Sequence, residues 1–418
     1  MLYVYNTMPG KLLNEWRSTL IFWILVIMMA GLFLSRAVLS IAMIALVIVS
    51  LLQQDIAGQI RKFIGSPLLI GMSALFLLPL LSGAWSDDQE QWLDIMRIKL
   101  PLLVLPLAFA TSFGFAEKHW ERLALFFILV MIVASGWCML QYIYDSKAVH
   151  EAYLKAKTMI TPLENDHVRF SWLVALAAGL SGWLAWQKRK AGGWLPISLA
   201  FVTAWLIIFL HILAARTGLF SFYIMLIFLS AWLVIRKTKW LQGALLLIIL
   251  FALPVLAYLV LPSFRNRVDY IRYDFSYLNK AEYLPGANDA VRVISLKTGW
   301  QTMQENPMKG VGFGDIKTEA DRIYQKRYPG MLAEDKILPS SEWLLYGAGL
   351  GWTGFLLFTV IMIIPFFYKA RFLLPWYALN ATAAFSFLFD IGLEVQFGVF
   401  VYSIAILVGW KWMVTEKI

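Results

Sequence analysis

The chain has 418 residues, of which 60% are hydrophobic and only 15% are charged, and its formal net charge is +10 at pH 7. A soluble domain carries about 25% charged residues, so this composition excludes a soluble globular protein and indicates a protein that lies within a membrane. The single cysteine, Cys138, lies in an apolar run, which excludes a disulfide framework and a thiolate metal site.

Long apolar segments follow one another along the chain, and each approaches the roughly 20 residues that a bilayer core requires. In chain order the predicted spans are Ser18–Leu34, Ala37–Leu52, Pro67–Leu81, Leu100–Phe113, Leu123–Tyr144, Phe170–Trp186, Trp194–Leu213, Leu219–Ile235, Leu241–Leu261, Trp343–Phe367, Leu374–Phe389 and Val395–Val414. The predicted fold class is therefore an all-α polytopic membrane protein with about twelve transmembrane helices. The fourth segment, which contains Pro101, is short enough for a broken or tilted helix.

Basic residues collect in every second connection between these segments. The clusters are Arg61-Lys62, Lys118 with Arg122, Lys188-Arg189-Lys190, Arg236-Lys237 with Lys239, and Lys369 with Arg371. Short loops rich in lysine and arginine stay on the cytoplasmic side, so the N-terminus and these connections are expected to face the cytoplasm. The basic residues are therefore topology signals, and nucleic acid is not an expected partner.

The remaining connections are expected on the outer side, where residues 262–341 form the only long, soluble-like stretch. Within it, Asp289–Glu305 has helical spacing of its apolar residues at Val293, Leu296, Trp300 and Met303. This spacing predicts an amphipathic helix at the outer interface. The predicted organisation is transmembrane helices one to nine in residues 1–261, a periplasmic loop with short amphipathic helices in 262–341, and transmembrane helices ten to twelve in 342–418.

Several arginines lie close to hydrocarbon or on the outer side. Arg216 lies between two apolar runs, in HILAARTGLFSF. A charge at a helix centre costs about 2.5–3.5 kcal/mol on insertion scales, so Arg216 either snorkels to the outer interface or presents its guanidinium to an anion such as phosphate. Further outer arginines oppose the usual topological bias: Arg265, Arg267, Arg272 and Arg292. This run either attracts an anionic substrate or contacts lipid headgroups and nearby aspartates.

Two side chains are candidates for a catalytic base. His167 stands at the entrance of the sixth segment, where a histidine is either a base or a structural hydrogen-bonding residue. Glu342 opens the tenth segment, where a carboxylate either caps the helix N-terminus or takes a proton from a hydroxyl. The four histidines have no metal-ligand spacing, so the sequence predicts no metal site.

Three short motifs follow one another in the second half of the chain. They are Ala215-Arg216-Thr217-Gly218, then Arg292…Trp300…Asn306-Pro307…Gly310-Val311-Gly312-Phe313-Gly314, then Ser340-Ser341-Glu342-Trp343-Leu344…Gly349-Leu350…Gly354. In order and in position relative to the spans, they resemble the signatures of the O-antigen ligase and polymerase family of bacterial inner-membrane glycosyltransferases. The signatures are Arg-Thr/Ser-Gly, an Arg…Trp…Pro…Gly-x-Gly stretch, and His-Asn-x-x-Leu…Gly-x-x-Gly.

This resemblance implies a glycosyltransferase that works without metal or cofactor at the periplasmic face. It implies transfer of a glycan from an undecaprenyl-diphosphate donor to a hydroxyl of the lipid A core, of another glycan or, less often, of a protein, with membrane lipids as further partners. Arg216 and Arg292, by their motif positions, are implied to bind the donor's diphosphate, with Arg265 of the same outer run beside them. Guanidinium groups suit this role because the leaving group is an anionic diphosphate.

One position departs from the family pattern, since Ser340 and Ser341 stand where the family has His and Asn. A serine is no base near neutral pH, so three explanations stay open. Glu342 or His167 takes that role, the protein is a polymerase of the same family, or leaving-group stabilisation alone drives the reaction. The alternative from another class is a transporter of lipid-linked saccharides. Many transporters have two related halves, and this chain has no internal repeat.

Overall fold

The computed structural model describes residues 8–53, 55–154, 157–190, 192–278, 283, 285 and 288–414. Within these ranges the chain consists of helices, their connections and one isolated antiparallel bridge between Ala370 and Val414. The helices are α1 (Met8–Leu34), α2 (Arg36–Leu51), α3 (Ile56–Ile64), α4 (Pro67–Ser82), α5 (Gln89–Lys99), α6 (Pro101–Ala110), α7 (Glu117–Tyr144), α8 (Ser146–Leu154), α9 (His167–Lys188), α10 (Leu195–Leu213), α11 (Arg216–Lys237), α12 (Trp240–Val260), α13 (Pro262–Leu278), α14 (Asn288–Glu305), α15 (Ile316–Arg327), α16 (Glu342–Ile363), α17 (Leu373–Leu388) and α18 (Gln396–Met413). The predicted all-α polytopic membrane protein is confirmed.

Every predicted span falls on a helix, but the helices differ in length. Within the described ranges, eight are long and apolar enough to cross a membrane, namely α1, α7, α9, α10, α11, α12, α16 and α18. Of the other predicted spans, α2, α4 and α17 have 16 residues each and α6 has 10. At 1.5 Å per residue, 16 residues reach about 24 Å, which is less than the roughly 30 Å of a bilayer core. Within the described residues, the twelve predicted spans therefore comprise eight long helices and four shorter ones.

Capping residues define where the helices around the site begin. The Asp88 carboxylate accepts a hydrogen bond from the Gln91 N–H at the start of α5, and Asp166 does the same for the Arg169 N–H at the start of α9. Pro101 occupies the first turn of α6, where its missing N–H removes no intrahelical bond. Pro101 explains why a new helix begins after Lys99. The Asp166 cap explains why α9 begins at His167.

Polar contacts gather the connections at two ends of the helix bundle. At one end Lys188 pairs with Glu121 at 2.6 Å, and at the other Arg169 pairs with Asp390 at 2.9 Å. Further contacts are Arg17 with Gln53 and Arg371 with Glu117 at the first end, and Arg36 with Glu164 at the second. The basic connections thus lie together at the first end, as alternating spans require. The second end, where α9, α11, α16 and α18 begin, is called the site end.

The glycine-rich run after α14 docks on α16 through its backbone. The Val311 N–H donates to the Ala348 carbonyl at 2.9 Å. Gly310 has a φ of +66°, and a Cβ at this position would lie 2.3 Å from the backbone of Gly349. A glycine is required both by this close approach and by the left-handed conformation. The run Gly310–Gly314 therefore fastens the long connection between α12 and α16 to the first half of α16.

Helix α14 confirms the predicted helix, but its buried face only partly follows the predicted apolar stripe. Val291, Ile294 and Thr298 are buried, whereas of the stripe Met303 is buried and Trp300 is 42% exposed. Gly299 lies against Pro339, close enough that a Cβ would meet the proline ring at 2.6 Å. Small and hydroxyl-bearing side chains therefore let α14 approach the start of α16, and this docking, more than the apolar spacing, sets the buried face.

Candidate active site

A break between α10 and α11 places Arg216 at the site end. Helix α10 ends at Leu213, Ala214 is left-handed with a φ of +48°, and α11 begins at Arg216. The Tyr153 hydroxyl donates to the Leu213 carbonyl at 2.8 Å and so holds the end of α10. Arg216 lies at a helix N-terminus, where unpaired N–H groups add positive potential, and its side chain is 33% exposed.

Arg216 and Arg267 lie beside the buried Asp289, whose backbone is bonded to the buried Asp274. Arg216 forms an ion pair with Asp289, whose backbone N–H donates to Asp274 Oδ2 at 2.6 Å. Arg267, on α13, is only 9% exposed and lies within electrostatic range of both Arg216 and Asp289. Burial, followed by the charge of Arg216, lowers the pKa of Arg267, and Asp289 opposes this effect. Burial likewise raises the pKa of the Asp274 carboxyl.

The buried guanidinium of Arg267 is incompletely satisfied. Its Nε and Nη1 atoms have no hydrogen-bond partner within the described part of the chain. One oxygen of Asp289 and one of Asp274 also have none there. An unpaired buried donor costs about 1–3 kcal/mol, and more when it is charged, so this arrangement favours an anionic ligand that supplies acceptors to Arg267.

Arg292 lies on the other side of Arg216 and faces a second acid. It follows Asp289 by one turn of α14, is exposed, and interacts with Arg216 and Asp390. The surrounding protein, followed by Arg216, lowers the pKa of Arg292, and Asp390 opposes this. Asp390 Oδ2 lies 2.9 Å from Arg169 Nη2. Burial raises the pKa of Asp390, whereas Arg169 and Arg292 lower it.

His167 belongs to the same neighbourhood. It is the first residue of α9, is half-buried, and lies within range of the charges of Arg267 and Arg292. The chain enters α9 through left-handed backbone at Leu163, Glu164 and Asn165, with φ values of 60°, 57° and 68°. Non-glycine residues adopt this conformation only when their surroundings enforce it, and such strain concentrates at functional sites.

Glu342 and Arg265 have other partners. Glu342 is fully buried, and its carboxylate accepts the Leu393 N–H at 2.5 Å. Arg265 is exposed and donates to the Leu259 carbonyl at 2.7 Å, at the C-terminal end of α12. The structure therefore gathers His167, Arg216 and Arg292 but places Glu342 and Arg265 elsewhere. The roles predicted for those two residues from the sequence stay predictions.

Ser340, at the position where the family pattern has a histidine, is buried and hydrogen-bonded. It accepts a hydrogen bond from the Ser295 hydroxyl at 2.9 Å, and its own N–H donates to Ser295 Oγ at 3.2 Å. These bonds connect the start of α16 with α14, one turn beyond Arg292. Ser340 thus supports the helix that carries Arg292. Among the described residues, no group of three or more His, Cys, Asp or Glu side chains is placed to hold a metal ion.

Sequence reasoning missed Asp390, named Asp289 only as an ion-pair partner for the outer arginines, and did not single out Arg267 among them. Asp390 carried the same signal as Arg216, namely a charge between two apolar segments. Asp289 precedes Arg292 by three residues, a spacing that places both on one side of a helix. The burial of Arg267 has no comparable local signal, because it depends on how α13 packs against α8 and α10.

An apolar cavity of about 840 Å³ lies among the helices that carry the charged cluster. Helix α9, which begins with His167, lines it with Gly182, and α11, which begins with Arg216, lines it with Leu229. Val401 on α18 lines this cavity and also a small cavity beside Arg169 and Asp390. The two cavities thus share one lining residue, and the apolar cavity extends along the bundle to Arg371 at the first end.

Comparison with known proteins identifies one related domain. Residues 199–359, from α10 into α16, match the family model described as O-antigen ligase. This range contains Arg216, Arg267, Arg292 and Ser340, whereas His167, Arg169 and Asp390 lie outside it. No curated protein matches the chain.

Proposed function

Since this chain belongs to the O-antigen ligase and polymerase family through its domain at residues 199–359, we propose that it transfers a glycan from an undecaprenyl-diphosphate donor to an acceptor hydroxyl. The acceptor is the lipid A core or another glycan, and the site end faces the periplasm of a bacterial inner membrane. The observation that carries this proposal is Arg267, a buried guanidinium that lies beside Arg216 with two nitrogen atoms unpartnered in the described part of the chain. A diphosphate supplies the negative charge and the acceptor oxygens that this pair needs.

The proposed mechanism depends on charge stabilisation. The acceptor oxygen attacks the anomeric carbon of the first sugar, and the bond from that carbon to the diphosphate oxygen breaks. Negative charge then grows on the departing undecaprenyl diphosphate. Arg216, Arg267 and Arg292 are preorganised to stabilise that charge, an effect that is commonly the largest single contribution to catalysis.

The acceptor hydroxyl must also lose its proton. Of the two candidates from the sequence, His167 lies with the arginines, and we assign it the role of base. The carboxylate of Glu342 is fully buried and engaged with the Leu393 N–H, which favours a different role for that residue. Asp166, which caps α9 through the Arg169 N–H, fixes the position of His167 at the start of that helix.

The apolar cavity supports an amphiphilic donor. Its lining comes from the same helices that present His167 and Arg216. A donor whose anionic head group binds in the charged cluster therefore has its hydrocarbon tail beside this lining. Leu229→Trp is expected to lower transfer several-fold for a long polyprenyl donor, because it fills the cavity, and less for a donor with a short prenyl chain. Leu247→Trp on the exposed side of α12 is the matched control. Equal losses with both donors would assign the cavity to bilayer lipid.

A polymerase of the same family is the second candidate, and Ser340 is the observation that favours it. This residue is bonded to Ser295 and offers no base at the position where the family has histidine. A cell-surface glycan profile separates the two activities. A deletion strain that accumulates full polymer unattached to its acceptor identifies a ligase, whereas an acceptor that carries one repeat unit identifies a polymerase.

Rescue of that deletion tests the site itself. Arg216→Ala is expected to fail to restore the profile, because the diphosphate then lacks a guanidinium at the start of α11. Arg272→Ala is the control. Arg272 is exposed on α13, and its Nη1 atom lies 3.9 Å from Asp269 Oδ1. An unchanged profile in the deletion strain would contradict both candidates and return transport of a lipid-linked saccharide to consideration.

A further inference from the structure

A second cluster of charges is buried beneath the connection between α17 and α18. Lys99, the last residue of α5, is fully buried, and its Nζ lies 2.6 Å from Glu394 Oε1. The same ammonium donates to the Leu393 carbonyl at 3.0 Å. Glu342, the first residue of α16, accepts the Leu393 N–H at 2.5 Å. One residue, Leu393, is therefore held by its N–H and its carbonyl from two different helices.

Aromatic rings complete the surroundings of the ammonium. Lys99 Nζ lies 5.6 Å from the ring centroid of Phe313 and 5.4 Å from that of Tyr346. Phe313 belongs to the glycine-rich run that docks on α16, and its N–H donates to Ser82 Oγ at 3.0 Å. Lys99 thus connects α5, α16, the docked run and the connection after α17 at a single point.

Charges buried at membrane depth are rare because apolar side chains could fill the same space at lower cost. A buried charge cluster is therefore poorly explained by stability alone. Its geometry offers a better reason, because the segment that it holds also carries Asp390. Asp390 lies three residues before Leu393 and pairs with Arg169 at 2.9 Å, and Arg292 Nη1 donates to the carbonyl of the preceding residue, Phe389, at 3.5 Å.

The held segment has little room to move. A Cβ added at Gly398 would lie 2.0 Å from the Gly392 carbonyl oxygen, so the turn at Gly392–Glu394 lies directly on α18. The Glu394 N–H also donates to the Ile391 carbonyl at 3.2 Å. The contacts of Leu393 and the packing of Gly392 on α18 therefore hold the segment directly after Asp390, whose carboxylate is itself paired with Arg169.

We propose that Lys99, Glu342 and Glu394 form a positioning clamp that holds Asp390 against Arg169 and Arg292, and so fixes the Arg292 guanidinium for the donor's diphosphate. The three residues touch neither donor nor acceptor. They act through the Leu393 backbone and Asp390. This inference rests on the proposed function, because it assigns Arg292 a role in binding the diphosphate.

The first test compares two substitutions of one residue. Glu342→Gln keeps an oxygen that accepts the Leu393 N–H, so it is expected to retain most of the transfer from an undecaprenyl-diphosphate-linked glycan. Glu342→Ala leaves that buried N–H unpaired and is expected to lower kcat/KM about tenfold or more. Equal inactivity of both variants would make Glu342 a catalytic base and overturn the clamp. Lys317→Met, on the exposed side of α15, is the control for the loss of a lysine in the Lys99→Met variant of the second test.

The second test asks whether the clamp acts through Asp390. Lys99→Met, Asp390→Glu and the double variant form a thermodynamic cycle, in which Asp390→Glu keeps the charge but displaces it. If the clamp acts through Asp390, Lys99→Met adds less than about twofold to the loss in the Asp390→Glu background. Losses that multiply would overturn the proposal, since they indicate independent effects. If Lys99→Met does not accumulate as folded protein, Glu394→Gln takes its place in the cycle.

Failure of this inference is distinguishable from failure of the proposed function. If Arg216→Ala and Asp390→Asn both keep full transfer activity, the proposed glycosyltransferase mechanism is wrong. If those two variants lose activity while Lys99→Met and Glu342→Ala keep it, the mechanism stands and only the clamp is wrong.

Discussion

Two charged clusters lie at the same end of this bundle, and they differ in how they are satisfied. In the open cluster, Arg216 is one-third exposed and Arg267 has nitrogen atoms without partners in the described chain. In the closed cluster, Lys99 and Glu342 are fully buried and both bind the backbone of Leu393. Under the proposed function, similar side chains therefore receive an anion in the open cluster and fix a connection in the closed cluster.

This difference predicts whether a substitution in each cluster changes activity, stability or both. A side chain that is solvated, or that lacks a partner until a ligand binds, contributes little to folding stability. Its removal instead takes away stabilisation of the transition state. A group that is buried and paired leaves an uncompensated charge when its partner is removed. Arg267 variants should therefore lose activity with little change in stability, whereas variants in the closed cluster should lose both activity and stability.

The largest effect is expected at Lys99. Lys99→Met leaves Glu394 buried without its cation and is expected to lower the free energy of unfolding by about 3–5 kcal/mol, measured as thermal unfolding of the solubilised protein. The triple variant Lys99→Met, Glu342→Gln and Glu394→Met carries no charge in this cluster and is expected to regain most of that stability. If the triple variant also regained full transfer activity, the closed cluster would be structural only.

Arg267 comes next, with an effect on activity rather than on folding. Arg267→Ala is expected to lower kcat by about 10²–10³ through the loss of a preorganised donor to the leaving diphosphate. Arg265→Ala measures the position that sequence reasoning favoured, and Arg272→Ala is the control on the exposed side of the same helix. Greater loss at Arg265 than at Arg267 would reverse the assignment made from burial.

A smaller effect is expected in the glycine-rich run Gly310–Gly314, which joins the two clusters through its backbone and not through a charge. Gly310→Ala would place a Cβ 2.3 Å from the α16 backbone at a φ of +66°, which is expected to cost about 1–3 kcal/mol of stability. Gly330→Ala is the matched control, because a Cβ there meets nothing within 4 Å. Melting temperatures of the two variants in detergent give the comparison, and equal values would contradict the docking role of the glycine-rich run.

The parts of this structure that could be predicted are those that depend on nearby residues. Apolar runs predicted every span as a helix, because a segment without a polar partner in lipid must satisfy its own backbone. Arg216 was predicted as a site residue because a charge beside hydrocarbon needs a reason. The burial of Arg267 and the exposure of Arg265 could not be predicted, since these two positions on α13 differ only in which helix they meet. The burial of Glu342 near Lys99 could not be predicted either, because Lys99 is distant in sequence and comes within electrostatic range only after folding.

The smallest effect is expected at Asp274, and its size depends on pH. Burial raises the pKa of this carboxyl, so the folded protein holds its proton more readily than the unfolded chain. The stability that this group contributes is therefore complete below its unfolded pKa and is lost as the pH rises through the higher folded pKa. The amide of the Asp274→Asn variant does not titrate, and its oxygen still accepts the Asp289 N–H. The melting temperature of Asp274→Asn relative to the wild type should therefore increase as the pH rises from about 4 to about 7. A constant difference over this range would show that the open cluster already stabilises the ionised carboxylate, in which case Arg267 has a protein partner and less need of a diphosphate.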